Sequence, residues 1–147
     1  MQEVNAPTVT YTITGLDAAT TYRVKVSALN IHGEGPLGDS VEPTTNNVPS
    51  QVDPPTTVVS PADAKSARIS WNAPNDNGST ISGYTVKIFD GTDYTEFSSD
   101  CTVTQVGATD VWYCDITFVA LDTTVGLDGG DFIKAVVIAT NGEGPST

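Results

Sequence analysis

Apolar and polar residues alternate along most of this chain, which is the pattern of β-strands that bury one face. In residues 22–30 an apolar side chain occupies nearly every second position, and residues 133–139 repeat the pattern. Clusters of Gly, Asn, Asp and Pro separate such runs and favour turns. The predicted strands lie at residues 8–16, 22–30, 39–44, 56–60, 67–73, 81–88, 94–97, 102–106, 111–121 and 132–141. No segment of useful length has helical periodicity, so the sequence predicts an all-β fold.

A short motif occurs twice and sets the predicted domain organisation. Asn30-Ile31-His32-Gly33-Glu34-Gly35-Pro36 reappears, two residues shorter, as Asn141-Gly142-Glu143-Gly144-Pro145. From Pro36 to Pro145 the offset is 109 residues. A repeat of this length, with strand-like alternation before each copy, predicts tandem β-domains. We expect part of one domain at residues 1–45, an extended proline-containing linker at 46–55 and a nearly whole domain at 56–147.

Charge narrows the classes of partner. The chain carries 18 acidic and 6 basic residues, for a net charge of −12. Nucleic acid and anionic lipid both require clustered Lys and Arg, and the basic residues here are scattered, so neither is an expected partner. No run of about 18 apolar residues occurs, so the sequence predicts no membrane span. The N-terminus has no signal-peptide pattern, and a secreted protein would carry its signal upstream of this segment.

Cys101 and Cys114 are the two cysteines of the chain. A two-residue turn at Gly107-Ala108 would place them directly opposite each other in an antiparallel hairpin, at a separation that suits a disulfide. The alternative is a pair of free thiols in a cytosolic protein. We expect the disulfide, and together with the acidic, lysine-poor composition it predicts an extracellular or cell-surface location.

Two segments of the second domain match strand patterns of one family: Ile69-Ser70-Trp71-Asn72-Ala73-Pro74 is similar to its strand B, and Ile81-Ser82-Gly83-Tyr84-Thr85-Val86 is similar to its strand C. This family is fibronectin type III, which residues 8–45 and 53–147 resemble. Leu121 resembles the leucine that closes strand E. The resemblance implies an immunoglobulin-like Greek-key β-sandwich. It assigns strands E, F and G to the first domain, and strands A to F, without strand G, to the second.

The resemblance also carries two expectations for the region before strand F. Tyr22 matches the tyrosine corner of the family, in which the hydroxyl bonds to the backbone upstream. The same position in the second domain is Ile133, so we expect no such bond there. The loop ahead of it is longer in the second copy, running from Asp122 to Ile133 against Asp17 to Tyr22. The missing strand G indicates either a cut from a longer polypeptide or a fibre in which neighbouring copies supply a strand.

The alternation also predicts the core of the second domain. Its expected members are Trp71, Tyr84, Val86, Ile88, Phe118 and Leu121. Trp112 and Tyr113 are adjacent, so one of them is expected to face outward, either for cross-strand packing or toward a neighbour or ligand.

Few residues are candidates for chemistry. His32, the only histidine, lies in a predicted surface loop without a neighbouring nucleophile, so we expect no catalytic site and no enzyme activity. Asn77-Gly78-Ser79 is an N-glycosylation sequon and equally good turn chemistry. Carboxylates on glycine-containing loops are calcium candidates, against the alternative of ordinary acidic turns. These are Asp90, Asp93, Asp122, Asp128 and Asp131. No cofactor is expected.

The sequence favours a structural function. We expect a segment of an extracellular tandem-repeat protein, with rigid β-sandwich links in a fibre, stalk or adhesin, and partners among neighbouring repeats or other extracellular proteins. Two alternatives stay open: spacer modules of a secreted carbohydrate-active enzyme, and a receptor ectodomain that binds a protein ligand.

Overall fold

The computed structural model describes residues 10–97, 99–128 and 130–147. The chain divides into two compact units, Met1–Asn46 and Asn47–Thr147, which we call unit 1 and unit 2. Antiparallel strands dominate, in agreement with the predicted all-β class. The first two residues of the strand predicted at 8–16 lie outside the described residues.

Unit 1 is an irregular antiparallel hairpin. Its regular ladder consists of β1 (Leu29–Asn30) and β2 (Gly33–Glu34), and isolated bridges join Thr21 to Thr44 and Val24 to Val41. The predicted strands at 22–30 and 39–44 therefore face each other but pair only in part. Residues 10–16 were predicted as strand and form none. A strand needs a neighbour for its N–H and C=O groups, and these residues have no backbone partner among the described part of unit 1.

Unit 2 contains two four-stranded antiparallel sheets. The first has the order β3-β4-β8-β7, with strands Thr56–Val59, Ser66–Asn72, Val111–Thr117 and Thr104–Gln105 in that order. The second has the order β10-β9-β5-β6, with strands Gly144–Pro145, Ala135–Asn141, Gly83–Phe89 and Tyr94–Glu96. The longest ladders, β4 with β8 and β5 with β9, lie at the centres of the sheets and carry the inward-facing apolar residues.

One hydrophobic core lies between the two sheets. Its buried residues include Ile69 and Trp71 from the first sheet and Val86, Ile88 and Val137 from the second. The aromatic ring of Tyr84 packs on both tryptophans, with centroids 5.4 Å from Trp71 and 5.3 Å from Trp112. Shared burial of the two inner faces is what a β-sandwich requires.

A short helix, α1 (Phe118–Val125), corrects the prediction that no helix occurs. The Thr117 side chain caps its first turn by accepting the Ala120 N–H, and Gly126, with φ of 68°, ends it in the left-handed conformation. Leu121 and Val125, one turn apart, are buried. The core assignment of Phe118 was wrong: it begins the helix instead of continuing the strand, and its side chain is 40% exposed.

The disulfide between Cys101 and Cys114 is present, with Cα atoms 5.1 Å apart. The predicted register is wrong, however. β7 and β8 pair Gln105 with Trp112, so residues 107–110 form a four-residue loop in place of the two-residue turn. Cys101 therefore lies before β7 and not on the ladder, and both cysteines are buried in the core.

Most of the predicted linker at 46–55 lies within unit 2. The Asn47 N–H donates to the Asn77 carbonyl, and the Ser50 N–H donates to the Asn75 carbonyl. Val52 is buried in the core. The prolines exclude a regular strand here, and polar backbone contacts with the loop at 75–79 hold the segment in place.

Candidate functional site

Asn141 is the most densely bonded side chain in unit 2. Its Nδ2 lies 2.8 Å from the Asn47 carbonyl oxygen and 3.1 Å from those of Asp76 and Ser79. Its Oδ1 accepts the backbone N–H groups of Glu143 and Gly144. The side chain is buried, so these bonds satisfy polar groups that water does not reach. Asn141 thus joins the entry segment, the loop at 75–79 and the last hairpin.

The repeated motif forms the same two-residue hairpin turn in both units. Asn30 pairs with Gly33 in unit 1, and Asn141 pairs with Gly144 in unit 2. In each turn the asparagine Oδ1 accepts the N–H two residues later, and the glycine has a positive φ, of 125° and 133°.

The structural offset between the two turns is 111 residues, from 30 to 141 and from 33 to 144, and not the 109 residues given by aligning the prolines. The next backbone bond agrees: Gly35 donates to Ala28, and Ser146 donates to Ala139. When the two turns are aligned by their hairpin pairing, the sequence Gly-Glu-Gly-Pro therefore lies two residues later in unit 1 than in unit 2.

The glycosylation candidate Asn77 is part of this polar network. Its Nδ2 donates to the Val48 carbonyl at 2.8 Å and lies 3.3 Å from the Ser50 hydroxyl. The residue is half-buried and has φ of 51°. A glycan replaces one of the two Nδ2 hydrogens, so it would compete with these contacts in the folded unit.

The acidic turn at residues 90–93 bonds to itself. Asp90 Oδ1 accepts the N–H groups of Thr92 and Asp93, both at 2.8 Å. These bonds lower the pKa of the Asp90 carboxyl, because they stabilise its charged form. Asp93 Oδ1 accepts the Tyr94 N–H. The geometry is that of an Asx-type turn, in which backbone donors occupy the carboxylate oxygens.

Asp122, Asp128 and Asp131 line one open groove of about 440 Å³ beside α1. Asp131 Oδ2 accepts the Asp128 N–H at 2.9 Å. Within the residues that the structure describes, no three His, Cys, Asp or Glu side chains are grouped so that they could hold a metal ion. The three carboxylates therefore share a surface without forming a calcium cage.

The remaining candidates are dispersed. His32 is exposed on the turn of unit 1, and its backbone N–H donates to Asn30. Tyr113 faces outward under the Arg68 guanidinium, whose central carbon lies 3.9 Å from the ring centroid. Arg68 also bonds to both carboxylate oxygens of Asp115. Trp112, by contrast, packs against the core.

No helix in the described part of the chain has the length and apolar character needed to cross a bilayer. A scan against models of protein families finds no match to this chain, and a search of curated proteins finds no similar protein.

Proposed function

We propose that this chain is a segment of an extracellular tandem-repeat protein, in which fibronectin type III-like sandwiches act as rigid links of a fibre, stalk or adhesin. The observation that carries the proposal is the contrast between equivalent strands of the two units. Val26 is 74% exposed in unit 1, whereas its counterpart Val137 is 6% exposed in unit 2. Ala28 is exposed and its counterpart Ala139 is buried.

This contrast supports a second sandwich to which unit 1 contributes. In unit 2, the opposite sheet covers the apolar face of β9, with Ile69 and Trp71 of β4 in the shared core, while β5 pairs with β9 within its own sheet. Unit 1 has the same apolar pattern without an opposing sheet among its described residues, and many of its apolar side chains are exposed, among them Ile13, Leu29 and Val41. Large exposed apolar patches are uncommon on free proteins. We infer that strands from the same array cover these side chains.

Two further features support the family proposal. The sheet orders β3-β4-β8-β7 and β10-β9-β5-β6 correspond to the A-B-E-D and G-F-C arrangement of immunoglobulin-like sandwiches, with an added edge strand beside C. At the position of strand G, for which the sequence predicted no strand, β10 consists of only two residues, Gly144–Pro145. In unit 1 the Tyr22 hydroxyl accepts the Asp17 N–H at 2.9 Å, which is the contact that a tyrosine corner makes.

The contacts within unit 2 support a passive mechanical role. The β4–β8 ladder runs from Ser66 to Asn72 and the β5–β9 ladder from Gly83 to Ile88. Mechanical extension of unit 2 must break these ladders and open the core between the sheets. The disulfide fixes the segment between its cysteines. A disulfide and net charge of −12 favour an oxidising compartment and a soluble, self-repelling surface.

The intact mass of the native polypeptide tests the tandem array. Mass spectrometry of the protein from its source, non-reduced and reduced, should give a mass of several domains, well above the 15.3 kDa of this segment. It should also give a gain of two hydrogens per disulfide on reduction. A native mass near 15.3 kDa would contradict the array.

A further inference from the structure

The loop that is longer in unit 2 than in unit 1 builds a groove on the surface of unit 2. Unit 1 passes from Asp17 to Tyr22 by a tight turn, whereas the matching stretch of unit 2, from Asp122 to Ile133, contains the second half of α1 and the loop that follows it. The groove lies between α1 and the described residues of the segment 127–133, has a volume of about 440 Å³ and falls within the size range of ligand sites in proteins. We call it the α1 groove.

The α1 groove has an apolar lining, part of which is exposed to solvent. It is formed by Phe118, Val119, Leu121, Leu127 and Ile133. Val119 is 72% exposed and Phe118 is 40% exposed. Phe132, between two lining residues in sequence, is 92% exposed and does not fill the groove. Removing this apolar surface from water would provide a driving force for binding.

The charged residues that line the groove are all acidic. Asp122 stands on α1, and Asp128 and Asp131 stand on the facing loop. The groove lining contains no Lys, Arg or His, and the two salt bridges found among the described residues involve other acids. Carboxylates on both walls of an apolar groove attract a cationic occupant, and the charge of the whole chain, −12, acts in the same direction.

We propose that the α1 groove binds an extended peptide segment of a partner protein, with an apolar anchor residue flanked by Lys or Arg. The anchor would pack on Val119 and Phe118. The flanking cations would meet Asp122 on one wall and Asp128 and Asp131 on the other.

Fluorescence anisotropy with the full chain and a labelled peptide tests this proposal. The probe is Gly-Lys-Leu-Phe-Lys-Gly, acetylated and amidated, and its matched control replaces both lysines by glutamate. We expect saturable binding of the lysine peptide, weakening as salt rises to about 0.5 M because salt screens the charges. If no saturable binding occurs up to about 1 mM protein, the proposal is overturned; a Kd of about 1 mM corresponds to a binding free energy of only about 4 kcal/mol. Equal binding of the glutamate peptide would also overturn it.

Paired variants separate the groove from the rest of the surface. Val119→Ser should weaken binding about tenfold by removing apolar contact, whereas Val58→Ser, at a residue that is 56% exposed on β3, should not. The double variant Asp122→Asn/Asp128→Asn should weaken binding at low salt, whereas Asp53→Asn/Asp63→Asn should not. All four positions are exposed, so the fold should tolerate the changes, and tryptophan fluorescence checks this. Equal losses in the control variants would overturn the proposal.

The occupant could instead be a second copy of the chain. Sedimentation of the unliganded protein distinguishes this case. A concentration-dependent dimer that Val119→Ser abolishes would identify a second copy as the occupant and overturn the peptide proposal. A monomer that binds the lysine peptide supports it.

Discussion

At the scale of single residues, buried polar side chains organise unit 2 as much as its apolar ones do. Asn141 donates to or accepts from five backbone groups at separations of 2.8 to 3.2 Å. Its counterpart Asn30 is exposed, and its side chain makes one such bond. The same residue type at equivalent positions therefore has a different energetic weight, because only one of them is buried.

Replacement of Asn141 by Ala should destabilise unit 2 by about 2–4 kcal/mol, because several part-buried carbonyl and N–H groups lose their partner at once. Asn30→Ala is the matched control and should leave unit 2 unchanged. Urea unfolding followed by tryptophan fluorescence measures this directly, because both tryptophans, Trp71 and Trp112, lie in unit 2. Equal unfolding midpoints for the two variants would contradict the larger contribution of Asn141 to the stability of unit 2.

The Arg68–Asp115 pair makes the stability of unit 2 depend on pH. Hydrogen bonds from Arg68 lower the pKa of the Asp115 carboxyl. Because the folded pKa lies below the unfolded one, the contribution of the pair is complete above the ordinary aspartate pKa of about 4 and is lost as the pH falls through the folded value. Asp115→Asn should therefore lower the urea midpoint at pH 7 and have a progressively smaller effect as the pH falls below the ordinary aspartate pKa. An effect that does not change with pH would contradict this linkage.

At the scale of elements, alternation predicted the central strands well, because both sheets bury one face of each strand. β8 and β9 fall within predicted runs, and β4 and β5 each extend one residue beyond theirs, at Ser66 and Phe89. The ends of strands were harder. Ile116 and Phe118 continue the alternation, but the strand ends at Thr117, whose side chain caps the first turn of α1. Gly126 ends the helix. Short polar caps carry no periodic signal, so the pattern could not reveal the helix or the groove beside it.

In the cysteine hairpin, the spacing of the cysteines predicted the disulfide and did not predict the strand register. Two cysteines bracketing a turn were sufficient to predict the disulfide. The register depends on the loop, where the Thr109 hydroxyl and N–H both bond to the Val106 carbonyl and the Val106 N–H bonds to Val111. The spacing of the cysteines allows a two-residue or a four-residue loop, and these local bonds stabilise the four-residue loop.

Reduction of the Cys101–Cys114 disulfide should lower the free energy of unfolding of unit 2 by about 3 kcal/mol, from the loop entropy of a short closed segment. The cysteines are 5% and 0% exposed, so reductant should act slowly until the unit unfolds. Comparison of urea unfolding for the native chain and Cys101→Ala/Cys114→Ala measures the difference. Identical midpoints would show that the bond contributes nothing to stability.

At the scale of the whole molecule, the two units present unequal amounts of apolar surface. Unit 2 encloses its core, whereas Ile13, Val26, Leu29 and Val41 of unit 1 are all at least half exposed. The sequence predicted the repeat that relates the units. The polar contacts that fix residues 47–55 against unit 2 were not predictable, because they involve backbone groups of a distant loop. The proposed role as a rigid link depends on how unit 2 responds to load.

Force-extension measurement on this chain, held between two reference domains, tests that role most directly. Unit 2 should unfold in one discrete rupture, because its sheets share one core. Reduction should lengthen the released chain by about 40 Å, since 13 residues separate the cysteines and each extended residue adds about 3.3–3.6 Å. If both the oxidised and the reduced protein extend gradually without a discrete rupture, this would contradict the proposal that these sandwiches are rigid links.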